Sequence, residues 1–174
     1  MPVPALRPGV HVKNALGMAA VAALSLTLAP AASAETGFAT VKITRVSGWF
    51  GVEDFWTTRG GFIPRQKFDV DITNVVGRDV RGLSVFISLP TDRLGVTGYE
   101  GDGWRCWDVN EGIGAEGIKC TQDHLIVHEE AWPKLTVETK AEAIWTQDSI
   151  DVYAEADGHA AVHAQQWFRI DTST

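Results

Sequence analysis

Histidines and carboxylates are the side chains of this sequence whose types and spacing could support chemistry. His124 and His128 are four positions apart and are followed directly by two glutamates, and His159 and His163 repeat the spacing. Two imidazoles and a carboxylate can bind zinc where a third ligand converges. The linear sequence shows no such convergence, and solvent-facing residues of strands and loops explain the pattern equally well.

Paired aspartates are a second candidate site, because Asp69 with Asp71 and Asp102 with Asp108 could offer oxygen ligands to calcium. They lack the dense alternating Asp/Asn loop that calcium sites usually show. The sequence also has no Gly-x-Ser-x-Gly elbow and no His-Glu-x-x-His motif. A carboxylate pair for glycoside hydrolysis stays open, although acids on outward strand positions serve solubility alone. We therefore expect no enzyme and no cofactor, with a small secreted hydrolase as a distant alternative.

An aromatic-rich segment, Ser47–Pro64, is the candidate binding surface. It reads as a long irregular connection, with a hairpin turn around Gly60-Gly61. Its rings could form an exposed platform that stacks on sugars or anchors a protein partner. They could instead fold over one end of the domain and be buried. The five rings are Trp49, Phe50, Phe55, Trp56 and Phe62.

The N-terminus resembles a secretory signal peptide. Arg7 and Lys13 precede an apolar run from Ala15 to Leu28, and the small residues Ala32-Ser33-Ala34 follow. The order basic, apolar, small is typical of a cleaved signal, and the run is shorter than the roughly 20 residues of a spanning helix. We predict a signal peptide over residues 1–34, cleavage after Ala34, and a secreted domain over residues 35–174.

The charge of that domain restricts its partners. After the two basic residues of the leader are removed, 13 basic and 22 acidic side chains remain, a net charge of −9. An acidic surface without a basic cluster repels nucleic acid and anionic lipid. The expected partner is therefore an extracellular protein or a glycan, with no nucleic acid and no membrane after signal cleavage.

Short strands must position these residues, since apolar side chains alternate with polar ones through most of the domain and no helical period is sustained. This pattern predicts an all-β sandwich of about 7–9 antiparallel strands. The predicted core consists of Phe68, Val70, Ile72, Leu83, Val85, Ile87, Leu135, Val137, Ile150 and Val152.

The only two cysteines, Cys106 and Cys120, are predicted to form a disulfide, because an exported domain matures in an oxidising compartment. The two residues belong to short strands with glycines between them. Trp104 and Trp107 flank Cys106, and at least one of the two indoles is expected to pack on the bridge.

Three motifs resemble a known bacterial family. They are Thr73-Asn74 followed by Gly77, the strand Val85–Pro90 that ends in Leu-Pro, and Gly103-Trp104-Arg105-Cys106 with Cys120-Thr121. Together they are similar to the repeat called domain of unknown function eleven, an immunoglobulin-like module of exported and cell-wall proteins. The resemblance covers about residues 65–155 and has no counterpart for the aromatic-rich segment.

This resemblance implies an immunoglobulin-like β-sandwich and carries over no catalytic residue. The sequence thus predicts a secreted bacterial module that acts as an extracellular structural or protein-interaction domain. A carbohydrate-binding module that uses residues 47–64 is the alternative.

Overall fold

The computed structural model describes residues 37–60, 65–110 and 116–171, which form eleven β-strands in two sheets. These residues belong to the second of the two units into which the chain divides, Ala34–Thr174. In this part of the chain, no helix has the length and apolarity needed to cross a membrane. The strands are β1 (Ala39–Ser47), β2 (Phe50–Val52), β3 (Phe55–Arg59), β4 (Gln66–Asn74), β5 (Leu83–Ser88), β6 (Leu94–Glu100), β7 (Arg105–Asn110), β8 (Glu116–Gln122), β9 (Leu135–Ala141), β10 (Thr146–Glu155) and β11 (Val162–Asp171).

The two sheets differ in size. The smaller has four strands in the order β1-β4-β9-β6, and the larger has seven in the order β2-β3-β11-β10-β5-β8-β7. Every neighbouring pair is antiparallel except β3 and β11, which are parallel. This architecture confirms the predicted all-β sandwich, with two more strands than the upper end of the predicted range.

The core lies between the sheets and is built by strict alternation. On β5, for example, Leu83, Val85 and Ile87 are buried while the residues between them are only partly covered. Side chains of a strand point alternately to its two faces, so each strand contributes every second residue to the core. All ten predicted core residues are at most 1% exposed, which confirms them.

The segment predicted as an irregular connection is instead a hairpin of β2 and β3. Its turn is at Glu53 and Asp54, whereas Gly61 of the predicted turn at Gly60-Gly61 lies outside the described residues. β3 then joins the sheet through the last strand, with Trp56 opposite Phe168. The prediction was wrong because β2 has only three residues and β3 pairs with a strand that is more than a hundred residues away along the chain.

The predicted disulfide between Cys106 and Cys120 is confirmed. The two cysteines face each other directly across β7 and β8, with Cα atoms 4.0 Å apart. This distance is shorter than the roughly 4.4–6.8 Å of most disulfides. Cys120 is fully buried, so the bridge lies on the core face of the sheet, where it links the edge strand β7 to β8.

Candidate functional site

The outer face of the seven-stranded sheet carries five side chains that are in register across five neighbouring strands. Tyr153 on β10 pairs with His163 on β11 and with Phe86 on β5. Phe86 pairs with Lys119 on β8, and Lys119 pairs with Trp107 on β7. Directly opposed residues share one side of a sheet, so the five side chains form one row. We call it the aromatic row.

Alternation along each strand turns this row away from the core. The residues on both sides of Phe86 and of Tyr153 are fully buried, which directs these two rings to the opposite face. Trp107 is 47% exposed and Tyr153 is 39% exposed. Large aromatic side chains are therefore held at the surface by a rigid sheet, as in many protein-binding surfaces.

Ring stacking within the row determines which ring faces are covered. The ring centroids of Tyr153 and His163 are 4.5 Å apart with planes 18° from parallel, and those of Phe86 and Tyr153 are 6.4 Å apart at 22°. Nearly parallel rings at this shorter distance overlap face to face, so His163 covers one face of Tyr153. Sugar recognition uses open ring faces, and in this stack Tyr153 and His163 each cover one face of the other.

A shallow groove of about 380 Å³ follows the row toward β7. Two of its lining residues are charged, Lys119 and Glu155, and they have opposite signs. Neither side chain makes a hydrogen bond or an ion pair with any residue that the structure describes. The net charge of the groove is therefore zero, and both charged side chains can contact a partner. Its lining residues are Ser84, Phe86, Trp107, Val109, Lys119, Tyr153 and Glu155.

Asp151 fixes the end of the row at β11. Its carboxylate accepts hydrogen bonds from Ser149 Oγ at 2.6 Å and from Gln165 Nε2 at 3.0 Å, and it lies 2.7 Å from His163 Nε2. In a nucleophilic triad the imidazole lies between hydroxyl and carboxylate, whereas here the carboxylate lies between the other two groups. This cluster orients the His163 ring against Tyr153 and does not activate Ser149.

The predicted aromatic surface is not one surface. Trp49 and Trp56 are 7% and 3% exposed and pack on each other, with ring centroids 5.6 Å apart. Trp49 also contacts Phe168 at 5.8 Å. Their assignment to an exposed platform was therefore wrong, since the parallel pairing of β3 with β11 turns the Trp56 indole into the core and Trp49 packs against Trp56 and Phe168. The alternative, burial on the domain, is correct for these two residues.

The remaining members of that predicted surface are distributed differently. Phe50 is 46% exposed on the edge strand β2, and Phe55 is half-buried with the Arg169 guanidinium 6.0 Å from its ring centroid. Phe62 lies outside the described residues. Phe50 and Phe55 are thus separate surface residues near one sheet edge, rather than parts of a tryptophan platform.

Sequence reasoning missed the aromatic row, although several of its strands have an aromatic residue at an outward position. Val85 and Ile87 were placed in the core, so alternation directs Phe86 outward, and the core position of Val152 directs its neighbour Tyr153 outward in the same way. At least one of Trp104 and Trp107 was expected to pack on the disulfide; Trp107 follows Cys106 directly, so alternation directs it to the other face of β7. The signal was an aromatic residue at an outward position on several strands.

The candidate metal ligands have other contacts. Lys134 Nζ lies 2.8 Å from Asp69 Oδ2 and 3.7 Å from Asp71 Oδ1, so an ammonium group occupies this pair. The hydrogen bond to Asp69 raises the pKa of Lys134. His128 lies against the Val76 carbonyl at 2.8 Å, and His159 packs on Phe38. Among residues 37–60, 65–110 and 116–171, no three His, Cys, Asp or Glu side chains converge as metal ligands.

The outer face of the four-stranded sheet has a contrasting chemistry, because several of its charges are paired with one another. Glu138 Oε1 accepts a hydrogen bond from Arg65 at 2.8 Å, and Glu138 Oε2 lies 3.4 Å from Lys67 Nζ. Lys67 also approaches Glu100 at 3.6 Å. A partner docking here would have to separate or desolvate existing ion pairs. The seven-stranded face therefore offers the more favourable contact surface.

These ion pairs predict how stability depends on pH. The hydrogen bond from Arg65, followed by that from Lys67, holds the pKa of Glu138 below its ordinary value of 4.5. Its contribution to stability is therefore complete above about pH 4.5 and is lost as the pH falls through the lowered pKa. We expect Glu138→Gln to be destabilised at pH 7 and to lose less stability than wild type between about pH 5 and 3. Thermal unfolding across this range measures both slopes, and parallel slopes would contradict the assignment.

Comparison with known proteins supports the fold. No family model and no curated protein matches this chain. Among solved structures, the chain is similar to a cohesin module of a family 33 glycoside hydrolase from Clostridium perfringens. The TM-score is 0.50 at 9% identity, over 79% of this chain and all of that module.

A second solved structure, an uncharacterised protein from Nocardia farcinica with an immunoglobulin-like fold, gives a TM-score of 0.46 at 8% identity. That match covers 75% of this chain and 98% of the other. The two packed sheets of this chain form an immunoglobulin-like β-sandwich.

Proposed function

We propose that this chain is a non-catalytic protein-interaction module that contacts a protein partner through the outer face of its seven-stranded sheet. The observation that carries the proposal is the aromatic row with its adjoining groove. Aromatic side chains are enriched where proteins bind one another, because rigid rings provide large contact areas at a small entropic cost. Trp107 and Tyr153 meet this description at the surface of a rigid scaffold.

The polar groups of the groove favour a protein over a glycan. Lys119 and Glu155 can form charged contacts with side chains of opposite sign, and the Ser84 hydroxyl can exchange hydrogen bonds. Sugar binding would require open ring faces, whereas His163 and Tyr153 cover each other. Carbohydrate binding is therefore the less favoured function, and its original candidates, Trp49 and Trp56, are buried.

We further propose that the module works outside the cell of a bacterium and belongs to the family of the resemblance. The order basic, apolar, small over residues 1–34 supports export, with cleavage after Ala34. The Cys106–Cys120 disulfide supports an oxidising compartment. The motifs around these cysteines and at Thr73-Asn74 support the family, although no family model matches the chain.

Site-specific crosslinking tests the proposed surface directly. Benzoylphenylalanine is introduced at position 86 or 107 of the full-length protein in its producing cells, and at Lys42, an exposed residue of the other sheet, as a matched control. We expect protein adducts from positions 86 and 107 and fewer from position 42. Equal labelling of both faces, or no protein adduct together with binding on a glycan array, would overturn the proposal.

A further inference from the structure

The charges of the groove are complementary to those of a second copy of the same groove. We propose that the chain forms a two-fold symmetric homodimer in which the outer faces of two seven-stranded sheets meet. In this dimer Lys119 of each protomer contacts Glu155 of its partner. The inference rests on the proposed function and names the protein partner as this chain itself.

The positions of the two residues permit both contacts at once. Glu155 on β10 pairs with Ser84 on β5, and Lys119 on β8 pairs with Phe86 on the same β5. The charges therefore lie one strand to either side of β5 and are offset by two residues. With strands about 4.8 Å apart and a rise of about 3.3 Å per residue, their backbones are roughly 12 Å apart.

A two-fold axis that lies in the contact plane, perpendicular to the line between Lys119 and Glu155, can bisect that line. It then passes between Ser84 and Phe86, and the rotation sets each charge of one protomer against the opposite charge of the other. An interface of this symmetry repeats every contact, so each Lys–Glu pair occurs twice. The same arrangement brings Phe86 of one protomer close to the rings of the other, which places aromatic side chains in the centre of the contact.

Desolvation explains why a second copy suits this face. A partner that covers the groove removes water from Lys119 and Glu155, and a buried charge without a counter-ion is strongly destabilising. Within the described residues neither charge has an ion pair. A second copy supplies a cation and an anion at the required positions, so both are neutralised together.

Long-range electrostatics also favour this face for self-association. The domain after residue 34 carries a net charge of −9, so two copies repel each other in most orientations. The groove has one charge of each sign, and mutual repulsion is smallest where neutral surfaces meet. On the four-stranded face, by contrast, the ion pairs of Glu138 would have to lose water.

The available area is close to that of a stable dimer. Seven strands at about 4.8 Å, each presenting about six residues at 3.3 Å, give a face of roughly 700 Å². Stable interfaces bury about 800 Å² on each partner. The face is thus close to the standard size before loops at its margin are counted.

Charge reversal tests the homodimer on the mature protein, with sedimentation velocity over a dilution series as the measurement. We expect wild type to dimerise. Lys119→Glu and Glu155→Lys should each weaken dimerisation by about tenfold or more, because each places like charges together twice. The double variant Lys119→Glu/Glu155→Lys should recover most of the affinity. Lys140→Glu, the same charge change on the four-stranded face, is the control and should dimerise as wild type does.

The outcomes separate this inference from the proposed function. A wild-type dimer that is insensitive to both reversals would overturn the inference, as would a double variant no better than the singles. A monomeric wild type whose residues 86 and 107 crosslink to a different protein would overturn the homodimer and leave the interaction surface intact. A monomer with no protein adduct at these positions would overturn both proposals.

Discussion

Trp56→Ala is expected to destabilise the domain by about 3–5 kcal/mol, the usual cost of removing a buried aromatic side chain. Trp56 is 3% exposed, and its ring contacts Trp49 at 5.6 Å and Phe68 at 6.4 Å between centroids. It therefore connects the β2–β3 hairpin to β4 of the opposite sheet. Truncation leaves a cavity between the sheets that the rigid strands cannot close.

Differential scanning calorimetry measures this effect as a fall in Tm of roughly 10–20 °C, from the scaling for a domain of this size. Phe50→Ala is the matched control, because Phe50 lies in the same hairpin but is 46% exposed. Its effect should stay within about 1 kcal/mol. Equal effects of the two substitutions would mean that the indole of Trp56 does not belong to the core.

Gly117→Ala is expected to cost about 3 kcal/mol or more, through a close approach and a strained backbone together. Gly117 lies on β8 between β5 and β7, opposite Ser88 and Val109. A Cβ atom at this position would lie 2.0 Å from the Ile87 carbonyl oxygen, and the residue has a φ of +149°. Because the obstructing atom is backbone of the neighbouring strand, the sheet itself must shift.

Two other glycines separate the contributions of clash and strain. Gly158 has a φ of +73°, and a Cβ atom at this position would have no other atom within 4 Å. Gly158→Ala should therefore cost only about 1 kcal/mol of backbone strain. Gly77 also has open space and no positive φ, so Gly77→Ala should be neutral within about 0.5 kcal/mol. Urea unfolding of the three variants gives this order, and similar values for Gly117 and Gly158 would refute the clash.

The core could be predicted from the sequence because apolar and polar residues alternate within each single strand. Residues such as Val70 and Ile72 on β4, or Ile150 and Val152 on β10, are separated by polar residues that mark the outward face. This signal is local, and burial of one face is enough to produce it. The disulfide was predictable for an equally simple reason, since the sequence has two cysteines and these leave one pairing.

The candidate site depends on information that no single strand contains. Alternation turns Phe86 and Tyr153 outward, but their position beside Lys119 and Trp107 depends on the register of β10, β5, β8 and β7. A shift of one residue would bring different side chains together. The sequence left the burial of Trp56 open for a related reason, because its neighbour Phe168 is supplied by the far end of the chain.

The parallel pairing of β3 with β11 also orders the folding of the domain. Phe55 pairs with Trp167, so this contact closes a loop of more than a hundred residues. Such long-range pairing is entropically costly and slow. The hairpin that contains Trp56 can enter the sheet only after β11 has been synthesised. The seven-stranded sheet is therefore complete only when β11 has joined it. Until then the indoles of Trp49 and Trp56 lack their native contacts with Phe168.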